Sequence, residues 1–307
     1  MAPDIVFIVN PRAGGGRTRR RWPRIETILR GRIGSSFDVR ITEATGRATD
    51  HCREALREGA STVACVGGDG TLNEVVNGYL DEAGRPRNPE ARLAILPIGT
   101  GCDFSKTLGA QNDPATVARQ LAGGRSRLVD AGRFTFRSAS GTSERYFVNV
   151  AEFGSGGAVV DRVNRTTKML GGRMTFLLAI LRTMPRYVNT RISYAADGGP
   201  SHSVVVNDVI VANGRYFGAG LQPAPYADLE DGALDVVIVG DLDFRTIRRN
   251  LPALREGQHL ELPGITTFRV RRIDLVAGDE LIDLDGEVAG RGPIRFEVVP
   301  RALRFVV

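Results

Sequence analysis

The order of apolar and polar residues divides the chain into two patterns, and the first ends at about Asp130. In this part, short apolar runs alternate with segments whose apolar residues recur at helical spacing. The spacing predicts strands at 4–10, 37–42, 62–67 and 92–99, and helices at 22–29, 48–58, 72–80 and 114–121. Strands separated by helices of this length are typical of βαβ units. We therefore expect an α/β domain with a doubly wound parallel sheet.

After Asp130, apolar and polar residues alternate over many short segments. This period is typical of an antiparallel sheet with one solvated face. The predicted strands are RFTF, RYFVNVAEF, RISYAA, HSVVVNDVIVANG, ALDVVIVGDL, FRVRRIDLVA, ELIDLDGE and IRFEVV. Helical spacing is limited to 159–184, where two glycines interrupt it, and 244–254. The second part is therefore predicted to be a mostly antiparallel, β-rich domain.

The change of pattern predicts two domains. We expect the first to comprise residues 1–131 and the second residues 132–300, with a strand at about 301–307 returning to the first domain. The composition, 42% hydrophobic and 25% charged, is that of a folded soluble protein. The most apolar stretch, 169–184, is shorter than the roughly 18 residues of a membrane span. It fits either a core helix or a lipid-facing wall of a groove.

Cysteine usage and the first residues favour a reduced, cytoplasmic protein. The three cysteines, Cys52, Cys65 and Cys102, form neither a CxxC motif nor a zinc pattern. The opening residues read as a strand and lack the basic start and apolar middle of a signal peptide. The net charge is +6, and nearly all the cations are arginine. This excess reflects either an arginine-rich composition or attraction to nucleotide phosphates or an anionic membrane. Nucleic acid is not expected as a partner, because no recognition module accompanies the charge.

Three glycine-rich turns follow predicted strands of the first domain. They are NPRAGGGR (10–17), GGDGT (67–71) and the end of LPIGTGCDF (96–104). Glycine allows a backbone to approach a ligand closely, and a helix that begins after such a turn favours a phosphate. Asp69 would repel a phosphate unless a metal intervenes, which favours Mg²⁺ with a nucleotide. Turns after neighbouring parallel strands open on one crevice, where such sheets bind ligands.

These three segments, with DGALDVVIV (231–239) and LDGE (284–287), resemble the ordered motifs of the diacylglycerol kinase catalytic-domain superfamily. That superfamily includes bacterial diacylglycerol kinases and related lipid kinases, and also sphingosine and ceramide kinases. The resemblance covers nearly the whole chain. It implies a nucleotide domain, a β-rich second domain and an active site in the cleft between them.

The resemblance also implies which residues bind ATP and Mg²⁺. Asp69 is expected to join the water network around the catalytic Mg²⁺. The nucleotide contacts are expected at Asn10, Pro11, Arg12, Ala13, Gly14, Thr42, Gly67, Gly68, Asp69, Gly70, Thr71, Leu72, Asn73 and Thr100.

The LDGE segment of the family carries an acid–base pair, which implies Asp285 and Glu287 here. A lipid hydroxyl attacks phosphorus well only when a group accepts its proton. Alternation within one strand would send both carboxylates to the same side, whereas a hairpin turn is the alternative, since Asp-Gly favours one.

The DGxLD loop of the family binds a structural Mg²⁺. The matching ligands are the Asp231 carboxylate and the carbonyls of Asp228 and Ala233. A hard cation would relieve the repulsion in this acidic loop, although a solvated acidic turn is also consistent with the residues.

One residue departs from the family pattern. The third turn usually carries asparagine where this chain has Cys102. A thiol cannot make the two-sided hydrogen bonds of an amide, so either the loop is held differently or the nucleotide contact is weaker.

The leading hypothesis is an ATP- and Mg²⁺-dependent lipid kinase that converts diacylglycerol to phosphatidic acid. The alternatives are an enzyme similar to NAD kinase and a non-catalytic nucleotide or lipid sensor. The expected partner is a lipid at the membrane surface, with a peripheral protein on the inner face. The basic segment 17–32 is the candidate for adhesion to anionic membrane, and a homodimer is a candidate assembly.

Overall fold

The computed structural model describes residues 4–34, 37–138, 141–165, 172–218, 220–276, 282–284 and 287–307. They form two compact units. The first contains Met1–Asp130 and Arg301–Val307, and the second contains Ala131–Pro300.

The first unit alternates strands and helices. The strands are β1 (Ile5–Val9), β2 (Phe37–Ile41), β3 (Thr62–Gly67) and β4 (Arg92–Pro97). The helices are α1 (Ala13–Ile33), α2 (Arg47–Arg57), α3 (Asp69–Tyr79), α4 (Asp103–Leu108) and α5 (Pro114–Gly123).

The pairings of the first four strands with one another and with the end of the last strand are parallel. The strand order is β2-β1-β3-β4, and the end of the last strand, β15 (Glu287–Val306), adds to β4 through a Phe305–Leu93 pair. Val9 is aligned with Val66 of β3. The carboxyl ends of the strands therefore lie at one edge, where ligands bind to such sheets.

The core of the first unit lies where α1 and α5 pack on one face of the sheet. Trp22 and Phe37 pack against Phe7 with ring centroids 5.9 and 4.9 Å away. Leu29 of α1 is fully buried, whereas the arginines of this helix are exposed. This packing explains why α1 is stable although many of its residues are charged.

The second unit contains most of the remaining strands and three helices. The strands are β5 (Ser126–Ser138), β6 (Gly141–Phe147), β7 (Val150–Gly154), β8 (Thr190–Ala196), β9 (Ser201–Val206), β10 (Asp208–Ala212), β11 (Leu234–Val239), β12 (Ile265–Val270), β13 (Arg272–Val276), β14 (Ile282–Leu284) and the first part of β15. The helices are α6 (Ser155–Arg165), α7 (Gly172–Thr183) and α8 (Phe244–Glu256).

The described strand pairs within the second unit are antiparallel. One series runs β12-β11-β10-β7-β14-β15, and a second runs β15-β13-β8-β9, while β5 pairs with β6. Phe153 and Val236 from the first series share one core with Ile273 and Phe296 from the second. The unit is therefore a sandwich of two packed sheet layers.

The fold confirms the predicted α/β first part with a parallel sheet and the predicted antiparallel second part. Several long predicted strands are in fact strand pairs: the segment HSVVVNDVIVANG forms β9 and β10, which meet at Asn207. The predicted helix at 159–184 is divided into α6 and α7. Among the residues that the structure describes, no helix has the length and apolar character needed to cross a membrane.

Candidate functional site

The first glycine-rich turn follows β1 and is held against β3. The Asn10 N–H donates to the carbonyl of Val66 at 3.0 Å, and the Asn10 side-chain amide donates to the Thr71 hydroxyl at 2.9 Å. The next residues need glycine, because Gly14, Gly15 and Gly16 have φ of 62°, 66° and 82°. Regular helix begins only after this left-handed turn. This explains why the apolar spacing of α1 starts later in the sequence than the N-terminus of the helix at Ala13.

The second turn leads from β3 into α3. A Cβ at Gly67 would lie 2.7 Å from the Thr71 hydroxyl oxygen, so glycine permits the tight entry into the helix. Thr71 is buried in the first turn of α3 and is not its N-cap, which is Gly68. The hydroxyl is instead positioned by Asn10, which joins the first turn to the second.

Asp69 joins the second turn to the third. Its carboxylate accepts the backbone N–H of Asp103 at 3.1 Å and that of Phe104 at 3.2 Å. These are the first residues of α4, so Asp69 caps this short helix from a distant part of the sequence. The contact directs the carboxylate to the N-terminus of α4, and its place in a Mg²⁺ water network stays a prediction.

The third turn is packed closely on the second. A Cβ at Gly99 would lie 2.6 Å from the Cα of Gly68, a distance that only glycine at this position avoids. The Arg17 guanidinium donates to the carbonyl of Gly99 at 3.2 Å and to that of Gly14 at 3.0 Å. The structure therefore brings all three glycine turns together at one edge of the sheet. Thr100 is exposed on the third turn.

Cys102 occupies the left-handed region, with φ 49° and ψ 46°. Its sulfur accepts the Gly99 N–H at 2.9 Å and lies 3.9 Å from the carbonyl of Gly67. Burial, and then the nearby charge of Asp69, raise the pKa of the Cys102 thiol to about 11. The thiol is therefore protonated at neutral pH and is a poor nucleophile.

The other predicted nucleotide contacts differ in exposure. Thr42 follows β2 and is buried, with its N–H bound to the carbonyl of Val9 at 2.9 Å. Leu72 and Asn73 are also buried, at 2% and 4% exposure, within α3. Their side chains are packed within the protein, and their contact with a nucleotide stays a prediction.

A cavity of about 620 Å³ lies beside the first turn. Its walls come from the turn itself, from α1 and from the end of β2. The lining residues include Val9, Pro11, Arg12, Arg19, Trp22 and Ile41. Ile41 is 43% exposed, an uncommon state for a large apolar side chain at a strand end.

The predicted metal loop of the second unit already contains a cation of the protein. Arg269 forms an ion pair with Asp231, whose other carboxylate oxygen accepts the N–H of Ala233 at 3.0 Å. Asp228 accepts the N–H of Glu230 at 3.0 Å. Arg269 thus supplies the positive charge that the sequence pattern assigned to a metal. No cluster of three metal-ligating acids, histidines or cysteines occurs in the described ranges, and the Mg²⁺ role of Asp231, Asp228 and Ala233 stays a prediction.

The predicted acid–base segment is only partly described. Asp285 lies outside the described residues. Glu287 begins β15, and its backbone is paired with Leu284 at the end of β14. Leu284 and Glu287 therefore lie on two different, antiparallel strands. The acid–base role of Asp285 and Glu287 stays a prediction.

The second unit also contains a partly open apolar cavity of about 120 Å³ between the sheet, α6, α7 and α8. Most of its lining is aliphatic, and includes Val159, Met184, Ile210, Leu221, Ile247, Leu251 and Leu254. An apolar cavity with few polar groups is typical of a site for an apolar ligand.

Two buried acids, Glu152 and Asp208, line one wall of this cavity. A Cβ at Gly156 would lie 2.7 Å from a Glu152 carboxylate oxygen and 2.9 Å from one of Asp208. Asp208 accepts the Gly156 N–H at 2.9 Å and the Ser155 hydroxyl at 3.2 Å, and burial raises its pKa to about 7. Sequence reasoning did not select these acids. The sequence does carry a signal for them, since each is a single charged residue in an otherwise apolar strand.

Comparison with known proteins agrees with both units. Residues 4–134 match the family model described as the diacylglycerol kinase catalytic domain, and residues 149–307 match the YegS C-terminal NAD kinase beta sandwich-like domain. The chain is 27% identical over 301 residues to a diacylglycerol kinase of Staphylococcus aureus (strain MRSA252), which covers 94% of this chain and 88% of that protein. A diacylglycerol kinase of Staphylococcus carnosus (strain TM300) is 24% identical over 292 residues, which covers 94% and 90%.

Solved structures show the same fold. Two chains from Bacillus anthracis str. Sterne superpose with TM-scores of 0.75 and 0.70, at 23% and 20% identity, and the second is described as a diacylglycerol kinase. Each covers 99% of this chain, and the matches cover 97% and 96% of those chains. At these identities the likeness establishes the fold alone.

Proposed function

Because the chain belongs to the diacylglycerol kinase catalytic-domain superfamily and is a lipid kinase, we propose that it transfers the γ-phosphate of ATP, with Mg²⁺, to the hydroxyl of diacylglycerol. The single observation that carries the nucleotide part of this proposal is the joining of three glycine turns through Asn10, Asp69 and Arg17.

The joined turns are suited to a polyphosphate. Gly14, Gly68 and Gly99 let the turns pack closely on neighbouring backbone, and the N-terminus of α3 favours negative charge. The cavity beside the first turn has a volume within the usual range for small ligands. We assign it to the base and ribose, next to the triphosphate.

Mg²⁺ would be held near Asp69, through water, where its charge would offset that of the transferred phosphate. The residues fit such an ion, since Asp69 is an acid set among phosphate-binding turns and its carboxylate is oriented by two backbone N–H groups. The protein's contribution at this point is orientation, because phosphoryl transfer depends mainly on positioning and on cancelling charge.

In the proposed reaction, Asp285 accepts the proton of the lipid hydroxyl as that oxygen attacks phosphorus, and Glu287 supports it. A positioned base of this kind contributes roughly 10²–10⁴ in rate. The apolar cavity of the second unit would receive part of an acyl chain, since its lining is largely aliphatic. A polar acceptor such as NAD would gain little from this lining.

The acceptor is tested with purified protein, Mg²⁺ and ATP labelled in the γ-phosphate. Diacylglycerol in mixed micelles, other lipid alcohols and NAD are supplied separately. We expect label in phosphatidic acid and none in the NAD fraction. Label in NAD alone would favour the NAD kinase alternative. Folded protein that binds ATP and phosphorylates none of the acceptors would favour the sensor.

A further inference from the structure

Helix α8 has two faces of opposite chemistry. Ile247, Leu251 and Leu254 line the apolar cavity. Arg245 and Arg249 lie on the opposite face and Arg248 and Arg255 on its flank, and all four are exposed. The helix has no buried residue, although its inner face covers a cavity. A strongly amphipathic helix with a cationic outer face is typical of proteins that lie on membrane surfaces.

Within the described ranges, none of the four guanidinium groups takes part in a salt bridge. Arg245 and Arg249 do interact with the charge of Asp243, just before the helix. Glu256 is the one acid within α8 itself, and Asp243 caps its N-terminus by accepting the Thr246 N–H. The outer face therefore carries a net positive charge that points into solvent.

Exposed apolar side chains adjoin both ends of the helix. Val188 is 80% exposed, and the next residue, Asn189, donates to the Leu242 carbonyl just before α8. Tyr226 is 78% exposed, in a loop whose Gln222 N–H binds the carbonyl of Leu254 at 3.0 Å.

Such exposure has a cost in water and is favourable at a lipid interface. A tyrosine in particular suits the boundary between headgroups and acyl chains. Val188 and Tyr226 are the two most exposed large apolar side chains among the described residues. We call the four arginines of the helix and these two side chains, which come from segments hydrogen-bonded to its two ends, the α8 surface: Arg245, Arg248, Arg249, Arg255, Val188 and Tyr226.

We propose that the α8 surface docks on an anionic lipid bilayer. The arginines complement the charge of anionic headgroups, and the two apolar side chains enter the interfacial region. Docking at this helix places the wall of the apolar cavity next to the source of its lipid. The biological purpose rests on the proposed lipid-kinase function, whereas membrane binding is measured without catalysis.

The test compares two full-length variants that each lose four charges. The first is R245Q/R248Q/R249Q/R255Q on α8. The second, R20Q/R21Q/R24Q/R32Q on the exposed face of α1, loses the same charge from the basic segment 17–32 and tests that segment as the competing adhesion site. Both are sedimented with vesicles of phosphatidylcholine alone or with about 30% phosphatidylglycerol.

We expect wild-type protein to bind the anionic vesicles and the α8 variant to bind at least about tenfold more weakly, since each well-placed cation contributes substantially. The α1 variant should stay within about twofold of wild type. The quadruple lysine variant of α8 keeps the charge and should bind. A V188S/Y226S variant should lose the part of the binding that persists at high salt.

Equal losses in the α8 and α1 variants would indicate diffuse attraction by net charge and would overturn the proposal, as would wild-type binding by the α8 variant. Equal binding to neutral vesicles would overturn it as well.

Kinase activity separates the two proposals. The α8 variant should phosphorylate diacylglycerol in detergent micelles as wild type does, and should lose activity on anionic vesicles. If wild type phosphorylates no lipid while vesicle binding follows α8, the proposed function fails and the docking surface stands.

Discussion

Replacement of Cys102 by asparagine tests how the third turn is held. The residue lies in the left-handed region, with φ 49° and ψ 46°. Side chains other than glycine and asparagine rarely adopt this conformation, and it costs them roughly 1–2 kcal/mol. The sulfur also occupies the point between a donor, the Gly99 N–H at 2.9 Å, and an acceptor, the Gly67 carbonyl at 3.9 Å. An amide at this point can satisfy both groups.

Two effects therefore favour asparagine over cysteine at this position. Asparagine tolerates the left-handed backbone better, and its amide replaces two weak thiol interactions with ordinary hydrogen bonds, worth about 0.5–1.5 kcal/mol each. Loss of thiol packing opposes these gains. We expect Cys102→Asn to raise the free energy of unfolding by about 1 kcal/mol. ATP should bind at least as tightly as in the wild type.

Urea unfolding measures this change through Trp22, the single tryptophan, which lies in the core of the same unit. Cys102→Gly and Cys102→Ala separate the two effects. Glycine relieves the backbone without adding a hydrogen bond, so it should exceed alanine by about 1 kcal/mol. Asparagine should exceed glycine. If alanine equals glycine, the backbone argument is wrong, and if asparagine is the least stable of the three, both arguments are wrong.

Three further predictions concern other parts of the chain. Asp69→Asn loses a charged acceptor for one of two backbone N–H groups, so urea unfolding should show a loss of about 1–3 kcal/mol. Gly99→Ala introduces a clash with the Gly68 backbone and should cost about 1–3 kcal/mol and weaken ATP binding, whereas Gly123→Ala, with open space around it, should do neither. Burial raises the pKa of Asp208 from 3.8 to about 7, so the folded state keeps a proton that the unfolded state loses. Stability should therefore fall between about pH 4 and pH 7, and Asp208→Asn should reduce that fall; an unchanged pH profile would refute the assignment.

The sequence was sufficient for the architecture of the first unit because its signals are local. Each strand is a short apolar run, and each turn is marked by glycines that the backbone requires, such as Gly14 and Gly99. Helix α4 was not predicted, since six residues are too few for a periodic signal and its N-terminus is capped by Asp69, which is distant in sequence.

The second unit was harder to predict because its informative contacts are long-range. Arg269 lies on β12, 38 residues further along the chain, and neutralises Asp231. Whether the acidic loop needs a metal to offset its charge could therefore not be judged from the residues of the loop alone. Glu152 and Asp208 meet only because β7 and β10 are paired.

The most direct test of the proposed reaction is phosphate transfer from ATP to diacylglycerol by wild type, Asp285→Asn and Glu287→Gln, with ATP affinity measured for the same preparations. We expect transfer by the wild type. We expect a loss of at least about 100-fold in Asp285→Asn, with ATP affinity little changed. Full transfer by both variants would contradict the assignment of the base, and no transfer by folded, ATP-binding wild type would contradict the proposed reaction.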